Sequence, residues 1–184
     1  TRGNVNIAGG TLKGTGTVSS ITMTTGHTAP GLSPGCIASG ATNFTGGNYD
    51  VEIGGTTACT GYDQLNVTGT VTLGSVALNL THYNSYKPKA NEAYTIINND
   101  AADAVTGTFS GLVEGATFTV DGYVYKISYV GGDGNDVVVT VQTVPATPDT
   151  GFNLITAHPL LTLIATSTLA AGILVAGRRF SAKS

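Results

Sequence analysis

Asp50 and Glu52 are the first residues whose types and spacing suit chemistry. They stand two apart in Tyr49-Asp50-Val51-Glu52-Ile53, where apolar and polar residues alternate, so a β-strand turns both carboxylates to one face. Two acids on one face are the equipment of a glycosidase, one donating a proton while the other acts as base or nucleophile. The simpler reading, a solvated strand face, is the one the sequence favours. Tyr62-Asp63 is the next candidate.

Gly131-Gly132-Asp133-Gly134-Asn135-Asp136-Val137-Val138-Val139 fits one copy of the calcium-binding nonapeptide Gly-Gly-x-Gly-x-Asp-x-apolar-x. Asp133 and Asp136 would be its hard oxygen ligands. Ions in that architecture lie between consecutive turns, so one copy furnishes half a site. A Gly-Asp turn feeding a last strand is favoured instead. The two cysteines, Cys36 and Cys59, form no Cys-x-x-Cys, and the three histidines lie far apart in sequence, which argues against zinc. The cysteine pair makes one disulfide if the chain is exported, and stays as two thiols if it is not. The expectation is a non-enzymatic protein with no catalytic residue, no metal and no cofactor.

The elements that would position these residues are short strands. Only 10% of residues are charged and 26 are Gly, a bias toward strands joined by tight turns. Residues 1–150 hold all 11 acids, and three of the eight bases (Arg178, Arg179, Lys183) fall at the end. An acidic body excludes binding to a nucleic-acid backbone, which needs a basic stripe. Alternating runs broken by Gly, Asn or Asp continue from Val5 to Val141, among them Val71-Thr72-Leu73, Tyr123 to Tyr129 and Val137 to Val141. Echoes such as Gly14-Thr15-Gly16-Thr17-Val18, Val67-Thr68-Gly69-Thr70-Val71 and Val105-Thr106-Gly107-Thr108 suggest stacked parallel rungs, each buried by its neighbours. In the late strands, Tyr123, Tyr125 and Ile127 share one face, for packing under a cap or for stacking on carbohydrate.

Six segments resemble one family in order. They are Thr11 to Val18, Ala29 to Gly35 and Tyr62 to Leu73, followed by Gly107 to Leu112, Glu114 to Phe118 and Ile127 to Thr140. The series resembles the autotransporter-associated β-helix region of bacterial surface proteins. That resemblance implies a right-handed parallel β-helix serving as scaffold in adhesins, with rungs over residues 1–90 and a β-strand cap over 91–141. No barrel-sized segment follows residue 141, which is where this sequence departs from autotransporters. The alternatives that remain are a fragment of a polysaccharide-degrading surface enzyme with its active site upstream, and an autotransporter passenger fragment.

Residues 142–153 form a linker rich in Pro and Thr. It holds Pro148-Asp149-Thr150-Gly151, which resembles the sorting signal Leu-Pro-any-Thr-Gly with Thr147 in the place of leucine. The resemblance implies attack by a sortase-like transpeptidase on the Thr150 carbonyl, loss of Gly151 and transfer to cell-wall peptidoglycan. Pro159 to Gly177 carries no charge and would span about 28 Å as a helix, close to a bilayer core. A transmembrane α-helix is therefore expected at 154–177, in the membrane through 159–177, with 178–184 as a basic cytoplasmic tail. The opening Thr1-Arg2-Gly3-Asn4 has no signal-peptide character, so the chain is expected to be a fragment or a processed product. The expected location is extracellular, anchored at wall or membrane, with a host or neighbour-cell ligand as partner.

Overall fold

The computed structural model describes residues 2–100 and 103–146. The fold belongs to the unit that ends at Pro145. Its first strands are β1 (Asn4–Gly14), β2 (Gly16–Pro30), β3 (Cys36–Phe44) and β4 (Asn48–Ile53). Next come β5 (Gln64–Val67), β6 (Val71–Leu73) and β7 (Ala77–His82), then a 3-10 turn at Tyr83–Ser85. The remainder are β8 (Ala93–Asn98), β9 (Thr106–Gly107), β10 (Thr117–Val120), β11 (Tyr123–Gly131) and β12 (Asp136–Thr143).

Successive circuits of the chain lie side by side in parallel. Asn4 pairs with Ser20, Ser20 with Ala41, and Thr42 with Val71, so the circuits lengthen along the chain. Gly corners allow this close stacking. A Cβ on Gly40 would strike the carbonyl of Ser19, and one on Gly69 would strike the carbonyl of Gly40. Three positions on successive circuits thus form one column in which backbone packs on backbone.

From β8 onward the pairing changes. β8, β12, β11 and β10 pair antiparallel in that order, and β8 joins the parallel part through Leu65↔Ile97. Asp121 and Gly122, both at positive φ, make the tight turn between β10 and β11. That hairpin brings the end of the sheet back toward β7. Phe118 to Val120 and Leu78 to Thr81 line one groove, and His82 hydrogen-bonds the Tyr125 hydroxyl at 2.8 Å. The sheet therefore nearly closes on itself like a barrel.

The inward faces make one core. Tyr49, Val51 and Ile53 alternate inward on β4, as do Tyr123, Tyr125, Ile127 and Tyr129 on β11. Phe44, Tyr49, Phe109 and Tyr129 form an aromatic column with ring centroids 5.9, 5.9 and 6.2 Å apart. It runs from the parallel circuits into the antiparallel sheet.

This architecture corrects the fold expected from sequence, a right-handed parallel β-helix end followed by a transmembrane α-helix. The described chain is all-β with a nearly closed sheet, and its one helical feature is the 3-10 turn. No helix among the described residues is long and apolar enough to cross a membrane. The membrane and transmembrane expectations are withdrawn on that finding. An uncharged run reports hydropathy and does not by itself specify a helix. Residues 154–177, the 159–177 run and the 178–184 tail lie outside the described residues.

Candidate functional site

The alternation of β4 turns Asp50 and Glu52 away from the core, onto one face as their spacing predicts. There they line a groove of about 680 Å3 together with Lys13, Asp63, Leu78 and Phe118. Asp50 is committed on both oxygens. Oδ2 lies 2.8 Å from Nδ1 of His27, and Oδ1 accepts from Nδ2 of Asn79 at 2.9 Å. His27, Asp50 and Asn79 belong to β2, β4 and β7, three strands that neighbour one another across the sheet. The network is a polar ladder running across the circuits.

Asp63 is 2% exposed and equally committed. Its Oδ1 accepts the Gly35 N–H at 2.7 Å and its Oδ2 accepts the Glu52 N–H at 2.9 Å. Burial pushes its carboxyl up to about 6, against the pull of those two N–H groups, with Glu52 raising it and Lys13 lowering it slightly. A carboxyl at that value has the acidity of a general acid, but both oxygens of Asp63 are spent on backbone. What the arrangement does is hold the β2–β3 loop and β4 together.

Cys36, at the start of β3, is disulfide-bonded to Cys59 in the loop after β4, with Cα atoms 4.8 Å apart. Closing this loop is worth about 3 kcal/mol in the chain-entropy account. Asp63 and this bond lie on the same two segments, so a covalent and a hydrogen-bonded tie reinforce each other.

Asp133 and Asp136 sit at the turn between β11 and β12, where Gly134 N–H closes onto the Gly131 carbonyl at 2.8 Å. Asp133 is exposed, whereas Asp136 is 5% exposed and accepts the Asn99 N–H at 2.8 Å. Among the described residues no three His, Cys, Asp or Glu side chains gather closely enough to hold a metal. An ion near this turn would have to take amide or carbonyl oxygens. The aromatic face of β11 is turned inward, and Tyr123, Tyr125 and Tyr129 are all buried, so packing is the role they fill. Pro148, Asp149, Thr150 and Gly151 lie outside the described residues.

Two further constellations stand outside the sequence reading. His82 is buried between Asp121, 3.1 Å from its Nδ1, and the Tyr125 hydroxyl at its Nε2. These residues are far apart in the chain and meet only because the sheet nearly closes. Gly31-Leu32-Ser33-Pro34-Gly35 has the Gly-x-Ser-x-Gly spacing of a nucleophile elbow, and Ser33 is strained at φ 97°. The spacing is legible in the sequence, contrary to the expectation that no Gly-x-Ser-x-Gly elbow occurs. The surroundings are not those of an elbow. The segment joins two strands, no helix follows it, and its hydroxyl accepts from Nζ of Lys13 at 3.3 Å. An ammonium that donates to the hydroxyl is not a base that removes its proton.

Comparison with known proteins finds no family model that matches the chain and no curated protein similar to it.

Proposed function

We propose that the chain is a structural and adhesive module of a bacterial cell surface, a non-enzymatic spacer joined to peptidoglycan through Thr150. A sortase-like transpeptidase acting on Pro148-Asp149-Thr150-Gly151 makes that link, and the module faces a host or neighbour-cell ligand. The observation that carries the reading is the Cys36–Cys59 disulfide, because such bonds persist in oxidising, exported compartments and are rare in the cytosol. Two further features support a spacer. Asp50 and Asp63 spend their oxygens on tying strands together, and the circuits repeat one backbone-on-backbone corner. Wall attachment rests on the sequence motif.

The test is mass spectrometry of the chain released from cell walls by a wall hydrolase. The expected product ends at Thr150 with a wall-peptide fragment attached and is lighter by two hydrogens than its reduced form. Recovery of a chain intact to Ser184 sinks the sorting reading. Free thiols at Cys36 and Cys59 sink the export reading separately.

A further inference from the structure

Asn99 and Asn135 are 3% and 6% exposed, and each directs its amide nitrogen at the same acceptor. Nδ2 of Asn99 donates to the Asp103 carbonyl at 2.7 Å, and Nδ2 of Asn135 donates to it at 2.8 Å. Those two bonds fix the orientation of both amides. The Oδ1 atoms are what remains, and both are buried without a hydrogen-bond partner. Folded proteins rarely leave such a carbonyl unmatched, and two in one locus ask for a common explanation.

The charge around them narrows it. Asn135 precedes Asp136, whose buried carboxylate meets the backbone of Asn99, so both amides and the carboxylate share one locus. Asp133 adds a second negative charge nearby. A water molecule could donate to two amide oxygens, but it brings no charge to a buried carboxylate with an acidic neighbour. A cation answers both needs.

We propose that Asn99 Oδ1, Asn135 Oδ1 and the Asp136 carboxylate bind a calcium ion, with Asp133 at its outer edge. The donors are all oxygen, without thiolate or imidazole, which selects a hard cation. A mixed set of neutral amides and a carboxylate, completed by solvent, suits the irregular coordination of Ca2+ better than the strict octahedron of Mg2+. So few charges make a weak site, in the range of about 0.1–1 mM typical of extracellular modules. Bound there, the ion staples the chain after β8 to the β11–β12 turn. The sequence favours a Gly-Asp turn over a half-site at Asp133 and Asp136, and of the proposed ligands only Asn99 lies outside that nonapeptide. The inference does not depend on wall sorting.

Terbium luminescence excited through tyrosine, followed by displacement with calcium, tests it on the full chain. Direct excitation of the terbium reads the same ion where no tyrosine sensitises it. Emission is expected to be lost with a calcium midpoint of about 0.1–1 mM. Asn135→Ala should weaken that midpoint at least tenfold, and Glu52→Gln should leave emission and midpoint unchanged. Absent emission, or a midpoint unmoved by Asn135→Ala, overturns the site. So does an equal loss in Glu52→Gln, which would place the ion in the β4 groove. Should Asn135→Ala fail to fold, the thermal midpoint of the unaltered chain decides. A rise of several degrees in calcium over chelator, not reproduced by magnesium, is expected, and no rise overturns the proposal.

Discussion

In the parallel circuits, Gly40 lies against Ser19 and Gly69 against Gly40, and the polar ladder of His27, Asp50 and Asn79 runs across the outer face. In the antiparallel part, single buried hydroxyls do comparable work. The Tyr129 hydroxyl donates to the Leu112 carbonyl at 2.6 Å and accepts the Phe109 N–H at 2.9 Å. The two regions teach different rules. Where strands repeat in parallel, absence of a side chain lets backbone stack on backbone, and one contact recurs on each circuit. Where the sheet turns back on itself, buried hydroxyls take partners set by their own surroundings, as Tyr129 does with Leu112 and Phe109.

The aromatic column is where the two regions join, so it offers the sharpest test of whether they unfold together. Phe109 is fully buried between Tyr49 and Tyr129. Phe109→Ala is expected to cost about 3–5 kcal/mol in a denaturant titration. A single transition is expected, and two separated transitions would mean that the regions are independent. Next in size is the disulfide. Replacing Cys36 and Cys59 together with Ala is expected to cost about 2–4 kcal/mol. Thermal unfolding should show the loss, and a protein unchanged by it would mean that the Asp63 contacts suffice alone.

Gly69→Ala probes the repeating corner and is expected to cost about 1–3 kcal/mol through overpacking against the Gly40 carbonyl. The exposed Gly3, which meets nothing and has no left-handed φ, is the control for side-chain crowding. The smallest effect is on pH. Asp63 holds its proton more tightly folded, up to about 6, than an unfolded Asp does at about 4. The folded state therefore binds more protons across that window, so the contribution of Asp63 is full below about pH 4 and is lost as pH rises through about 6. Asp136, also raised, acts in the same direction. Stability measured from pH 4 to 6 should fall less steeply in Asp63→Asn than in the unaltered chain.

Alternation alone told that Asp50 and Glu52 share a face and that Tyr123, Tyr125 and Ile127 share another, because side-chain direction in a strand follows from period two. Gly spacing told where the chain turns. An all-β body was legible for the same reason. Other features needed tertiary structure. The Asp63 carboxylate meets Gly35 and Glu52, His82 meets Tyr125, and Asn99 meets Asp103 and Asp136. Each pairing depends on register between circuits of unequal length, or on the hairpin that brings β10 back to β7. A local pattern says which way a side chain points. Which groups lie opposite it, and hence which charges and amides are left without a match, is set only when distant strands settle side by side.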